Sequence, residues 1–308
     1  MPRRIHGLFL ALVLLALGPT AFGQIAKARV SGGEVQGSVE NGIAAFKGIP
    51  FAAPPVGALR WQKPQPVVAW SGTRNATTYA PGCVQDPQML QFIGAPPGVS
   101  EDCLYLNVWT PAKSARERLP VMVWIYGGGF AAGTTSSPVY EGARLAGKGV
   151  IVVSVAYRVG PYGFLAHPEL TRESGKGSGN YGLLDMLAGL KWVQDNIAAF
   201  GGDRANVTVF GESAGGIAVS MLGVSPYAKG LFAKAISESG GSFAPPRSAA
   251  GAGGVPTLAA AEAHGQKFFE QLGAASLAAA RALTTEQIGK ALPPGLGGGF
   301  WPVADGDV

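Results

Sequence analysis

Five short apolar runs, at residues 104–109, 121–126, 150–157, 207–210 and 234–237, constrain this chain more than any other feature. They carry no regular alternation of apolar and polar residues. Each therefore needs cover on both faces, the pattern of buried parallel strands. Between the third and fourth runs, residues 180–199 place Leu183, Leu184, Leu187, Leu190, Val193 and Ile197 at helical spacing, and residues 214–222 continue as helix directly from a strand. Strands that alternate with helices build a βαβ sheet with helical cover. The expected fold is α/β, with a mostly parallel central sheet flanked by helices.

Ahead of this core, residues 28–52 break short β-like stretches at Gly32-Gly33, Gly37 and Asn41-Gly42, which predicts a small N-terminal antiparallel patch. Residues 49–70 hold Pro50, Pro54, Pro55, Pro64 and Pro66, each lacking an amide donor, so that stretch is expected to wrap the surface without regular helix. Residues 240–255 read as a loop and 258–272 and 277–292 as cap helices. With 47 Gly and 23 Pro a long-helix bundle is excluded, and with 47% hydrophobic and 14% charged residues so is a disordered chain.

Residues 1–23 have the form of an export signal: Arg3 and Arg4, an apolar run over 8–17, then Ala21-Phe22-Gly23 before Gln24. The mature chain is expected to be 24–308 and to be secreted or periplasmic. That apolar run is about half of the ~20 residues a spanning helix needs, so no stable membrane anchor is expected. Without Arg3 and Arg4 the basic excess falls to three, with no basic stripe, which excludes a nucleic-acid partner. Cys83 and Cys103 are the only cysteines. An oxidising compartment favours their pairing, and closing a loop of that size is worth about 3 kcal/mol in the chain-entropy account; two inert buried thiols are the alternative.

Gly211-Glu212-Ser213-Ala214-Gly215 fits a nucleophile elbow, where a strand turns sharply into a helix and holds a strained serine above the sheet. In so glycine-rich a chain the pentapeptide alone is weak, and its context decides. The strand 207–210 comes immediately before it, and Ala214-Gly215-Gly216-Ile217-Ala218-Val219 opens a helix immediately after. Gly127-Gly128-Gly129-Phe130, following the run 121–126, would leave backbone N–H groups open to a ligand oxygen, as an oxyanion hole requires. A dinucleotide site on Gly127, Gly129 and Gly133 is a rival, as is a plain tight turn. Against the first, no helix opens at once and the next strand ends at Tyr157-Arg158 without an acid.

The chain resembles the type-B carboxylesterases of the α/β-hydrolase fold over residues 28–308. Two long motifs carry this: Phe200-Gly201-Gly202-Asp203-Arg204-Ala205-Asn206-Val207-Thr208-Val209-Phe210-Gly211-Glu212-Ser213-Ala214-Gly215-Gly216, and Glu101-Asp102-Cys103-Leu104-Tyr105-Leu106-Asn107-Val108-Trp109-Thr110-Pro111. Phe46-Lys47-Gly48-Ile49-Pro50-Phe51-Ala52 and Trp124-Ile125-Tyr126-Gly127-Gly128-Gly129-Phe130 add to it. The resemblance implies a carboxylic ester hydrolase with Ser213 as acylated nucleophile. It implies Gly128, Gly129 and Ala214 as oxyanion donors, a Cys83–Cys103 disulfide, and ion pairs Arg60 with Glu101 and Arg158 with Asp185. Glu212 and Ser239 match positions near the site in similar proteins. No metal or organic cofactor is implied, and the partner is a small-molecule ester. The absence of tryptophan between Cys83 and Cys103 disfavours a choline ester.

A serine hydrolase also needs a histidine base held by an acid, in the order Ser, acid, His for this fold. His6 falls in the signal, His167 precedes Ser213, and His264 is expected on the solvated face of a cap helix. The triad acid and histidine are therefore expected beyond Val308. On this reading the chain is the N-terminal part of a hydrolase domain, nearly inactive alone, with an uncovered sheet edge at 234–237. A catalytically silent binding protein on the same framework is the alternative, and oligomeric state stays open.

Overall fold

The structure is a computed structural model that describes residues 23–85, 98–241, 255–293 and 296–308. All but the last residue of the expected export signal lie outside the described residues, as does most of the loop expected at 240–255.

The glycine punctuation near the N-terminus makes hairpins, as expected. Lys27–Val30 (β1) pairs antiparallel with Gly33–Gln36 (β2), and Ser38–Glu40 (β3) with Ile43–Pro50 (β4). Only the first hairpin stays apart, joined by Thr73–Asn75 (β5) running parallel to β2. The second belongs to the main sheet. Gly82–Cys83 (β6) and Val99–Ser100 (β7) form a separate short ladder around the Cys83–Cys103 disulfide.

The main sheet adds Tyr105–Thr110 (β8), Leu119–Ile125 (β9), Ile151–Val155 (β10), Gly202–Glu212 (β11) and Lys234–Glu238 (β12). Across the sheet the order is β12-β11-β9-β10-β8-β4-β3. From β12 to β10 every pairing is parallel. The apolar run 104–109, expected among the parallel strands, becomes β8 and runs antiparallel to both neighbours. Burial on two faces explains its composition; strand direction leaves no mark on composition.

Cover on both faces is complete at β10, all of whose residues are buried. One face carries helix Tyr181–Asn196, with Leu183, Leu187, Leu190 and Val193 turned inward. On the other, Trp109 and Val152 pack with Ala146 of helix Ala143–Ala146. Toward β12 that second cover ends. Val121, Val123 and Ile125 of β9 are buried, while Met122 and Trp124 between them are only half-buried. Trp124, Phe210 and Ile236 lie in register across β9, β11 and β12. Ser237 Oγ donates to Gly216 O of helix Ala214–Val224, so strand alternation turns Ile236 to the opposite, open face. Ile236 is 42% exposed, and β12 pairs only with β11 among the described residues.

Two ion pairs, one wholly buried and one partly, tie the loops to this frame. Arg158, just after β10, donates through Nε and Nη2 to Asp185 at 2.8 and 2.7 Å, and through Nη2 to Gln62 O at 2.9 Å. Arg60 grips Glu101 through Nε and Nη2 and reaches Leu283 O at 2.7 Å. The proline-rich segment is thereby fastened to the central helix and to the segment after helix Leu277–Ala282.

A strand with one unpaired edge and an apolar row invites association. In solution this chain is expected to self-associate through β12. Ile236→Lys should move its mass distribution toward monomer in analytical ultracentrifugation; an unchanged distribution at equal concentration would exclude this row as the contact.

Candidate active site

Between the end of β11 at Glu212 and the start of helix Ala214–Val224 stands one residue, Ser213, with φ 55° and ψ −123°. An L-residue held there stores on the order of 1–3 kcal/mol of strain. The turn closes because helix and sheet backbones nearly touch. A Cβ on Gly215 would lie 2.2 Å from Ile125 O, and one on Gly211 would lie 2.6 Å from Gly215 C. Ser213 N donates to Glu238 O of β12 at 2.8 Å, and Ser213 O accepts from Ile217 N at 2.9 Å. The side chain is left partly exposed at the helix N-terminus, and its hydroxyl makes no hydrogen bond among the described residues. The helix dipole there favours developing negative charge.

The glycine turn lies directly against this serine. A Cβ on Gly127 would sit 3.1 Å from Ser213 Cβ and 2.6 Å from Glu212 O. The next three residues all have positive φ: Gly128 at 106°, Gly129 at 63° and Phe130 at 58°. Phe130 pays for its backbone geometry by burial between Phe164 and Trp301, with ring centroids 5.2 and 5.3 Å away. Its carbonyl also accepts from Gly160 N at 2.7 Å. Gly128 O accepts from Ala131 N and Ala132 N, both at 3.1 Å, whereas the N–H groups of Gly128 and Gly129 meet no acceptor among the described residues. Ala214 N opens a helix and has no intrahelical acceptor. No helix opens from Gly127 to Gly133; the next element is the short 3-10 turn Pro138–Tyr140, which does not suit a dinucleotide phosphate.

The carboxylesterase family model matches residues 22–273. The chain belongs to the carboxylesterase family. It is 49% identical to the fumonisin B1 esterase of Sphingopyxis macrogoltabida over 253 residues, 82% of this chain and 45% of that protein. It is 51% identical to the para-nitrobenzyl esterase of Bacillus subtilis over 212 residues, 68% of this chain and 42% of that one. Among solved structures, a thermophilic para-nitrobenzyl esterase superposes with a TM-score of 0.77 at 43% identity, over 87% of this chain and 53% of that one. A carboxylesterase of Geobacillus stearothermophilus gives 0.76 at 36% identity, over 91% and 56%. The chain thus spans about half the length of these relatives, and its sheet and helices are those of an α/β-hydrolase fold.

Within this family member the sequence-predicted residues separate into those brought together and those kept apart. Gly127, at the head of the turn that holds Gly128 and Gly129, lies against Ser213, Ala214 follows Ser213 as the first residue of its helix, and Cys83 and Cys103 are bonded. Ser239, exposed at φ 49°, follows β12. Neither described histidine bonds to Ser213. His264, expected on a solvated face, is instead half-buried: its Nε2 lies 2.9 Å from Gly298 O and its ring packs on Phe300. The contact lies far along the sequence, so helical periodicity could not disclose it.

Three residues escaped sequence reasoning. Tyr126 and Tyr157 stack at 4.3 Å, each hydroxyl donating to the other's carbonyl, at 2.8 and 2.9 Å. Burial pushes both phenols well above their ordinary range, so they remain neutral donors that lock the ends of β9 and β10 where the glycine turn begins. Gln85 is the third, and it touches Gly133. The tyrosines stood in plain view as strand-end aromatics, but nothing in spacing marked them as partners.

His167 caps helix Pro168–Ser174, its Nδ1 accepting from Glu169 N at 3.2 Å, and stacks on Phe269 at 4.0 Å. Desolvation lowers its pKa below 6.5, helped by Arg172 and opposed by Glu169 and Glu262. The folded state thus favours the neutral ring. Its stabilising contribution is full above pH 6.5 and is lost as pH falls through the lowered folded value. The lowered carboxyls of Glu173, Asp203 and Asp307 release their share at lower pH still. His167→Asn, which keeps a capping acceptor but does not titrate, should shrink the fall in Tm between about pH 7 and about pH 5. An unchanged fall would remove His167 as its source.

Proposed function

We propose that this protein is an exported hydrolase of small carboxylic esters that works through an acyl-enzyme on Ser213. Ser213 Oγ attacks the ester carbonyl carbon and gives its proton to a histidine base. The carbonyl oxygen, now carrying negative charge, accepts hydrogen bonds from the N–H groups of Gly128, Gly129 and Ala214. As the tetrahedral intermediate collapses, the C–O bond to the alcohol breaks and the histidine returns the proton to the leaving oxygen. Water, deprotonated by the same base, then releases the acid and regenerates Ser213. Donors of this kind are each worth about a hundredfold to a thousandfold in rate.

What carries the reading is one juxtaposition: a serine with φ 55° at a strand-to-helix corner, in contact range of a turn whose Gly128 and Gly129 amides meet no acceptor among the described residues. The named relatives support an ester as substrate, one acting on fumonisin B1 and another on para-nitrobenzyl esters by their names. Because neither described histidine bonds to Ser213, the base and its acid are assigned to residues outside these 308. That same observation favours the second reading, a binding protein that keeps the framework without the chemistry. The disulfide accords with export to an oxidising compartment, and no helix among the described residues is long and apolar enough to cross a membrane.

A fluorophosphonate probe separates the two readings. The protein read through to the end of its gene should be labelled rapidly on Ser213, and Ser213→Ala should abolish labelling. The 308-residue chain should react slower by about a thousandfold or more, since it lacks the base. A folded full-length protein that resists the probe would establish the binding protein instead.

A further inference from the structure

Gln85 is buried and its carboxamide is fully engaged. Oε1 accepts from Gly133 N at 2.8 Å, and Nε2 donates to Gly133 O at 2.8 Å and to Cys83 O at 2.9 Å. Both backbone groups of Gly133 are thus held by one planar side chain, much as a neighbouring strand would hold them. Gly133 is where the glycine turn closes on itself. A Cβ there, at φ 134°, would lie 2.1 Å from the Tyr126 ring and 2.8 Å from Gly127 O. The anchor behind Gln85 is covalent. Cys83 is bonded to Cys103, and Leu104, next in the chain, accepts from Phe51 N at 3.1 Å as β8 begins.

A turn with three consecutive positive φ values does not hold its shape through local preference. Its first end is continuous with β9 and locked by the stacked tyrosines, and its middle is held at Phe130. At its far end, Gln85 supplies the reciprocal backbone bonds, and those bonds reach back through the disulfide to the sheet. We propose that Gln85 is a positioning residue for the oxyanion site: it fixes Gly133 against the disulfide-anchored segment and so sets where the amides of Gly128 and Gly129 stand relative to Ser213. This rests on the esterase reading and adds to it a structural task for the Cys83–Cys103 loop.

The chemistry makes the side chain hard to replace. Glutamate keeps an acceptor for Gly133 N but loses the donor and sets a carboxylate against Gly133 O and Cys83 O. Methionine keeps the length and loses all three hydrogen bonds. A displacement of about 1 Å at a catalytic donor is enough to lower turnover about a hundredfold.

Two measurements test this. In the 308-residue chain, Gln85→Met should speed amide exchange at Ala131 and Ala132 by about tenfold, though neither amide touches Gln85, while Val123 and Val153 in the sheet keep their rates. In the full-length protein, with active sites titrated by fluorophosphonate, Gln85→Met should lower kcat per titrated site about a hundredfold with little change in KM. Replacing both Cys83 and Cys103 by serine should cost little more once Gln85 is gone. Unchanged exchange at Ala131 and Ala132, or an unchanged kcat per titrated site, would overturn the inference. Failure of wild-type Ser213 to react at all would instead overturn the esterase reading, and the exchange result would still decide whether Gln85 holds the turn.

Discussion

The site depends on a backbone-to-backbone contact. Helix Ala214–Val224 begins so near the end of β9 that Gly215 leaves no room for a methyl group beside Ile125 O. Everything the proposed reaction asks of Ser213 follows from that approach. It holds the serine in a conformation that L-residues avoid, brings Gly127 against the serine Cβ, and sets the helix N-terminus beside the serine, where the proposed reaction develops negative charge. Its dipole is worth some 0.3–1 kcal/mol at an exposed position, while a well-placed oxyanion donor contributes about 3–4 kcal/mol to a transition state. Donor geometry therefore outweighs the dipole in the proposed reaction, and what bears on it is how firmly the fold holds the glycine turn.

Several independent braces serve that end. Ser213 and Phe130 together store a few kcal/mol, which burial of Phe130, the Tyr126–Tyr157 stack and the bonds to Glu238 O and Gly160 N offset locally. Farther out, the Arg158–Asp185 pair is wholly buried, so removing one partner would cost about 3–5 kcal/mol by stranding a charge. It contributes order more than net stability, pinning the end of β10 to the central helix. The sheet is otherwise unevenly covered: dense over β10, thin over the row of Trp124, Phe210 and Ile236. The half of the sheet that presents Ser213 is thus also the half with the least cover among the described residues.

The elbow, the glycine turn, the disulfide and the βαβ core were all legible in the sequence, because each is written in contiguous residues or in a count of two cysteines. Strand direction was not: 104–109 is as apolar as 121–126, yet one is antiparallel and the other parallel, since composition records burial and not polarity of the chain. Hairpin signals around Asn41-Gly42 gave the local pairing of β3 with β4 but not their membership of the large sheet. Trp124 and Phe210 read as buried residues within apolar runs, though their face is half-open, because an apolar residue looks the same in either place. The contacts of His264 and Gln85 could not be read, although the helix that carries His264 could. Each is defined by a backbone group brought close only by the fold, Gly298 for one and Gly133 for the other.

The close approach at Gly215 is open to a direct measurement. Gly215→Ala would set a methyl carbon 2.2 Å from Ile125 O, a contact no side-chain rotation relieves. Urea unfolding should show a loss of at least about 3 kcal/mol or no cooperative transition at all. A variant that unfolds with wild-type midpoint and slope would mean that helix and strand do not meet as described, and the account of Ser213 would fall with that contact.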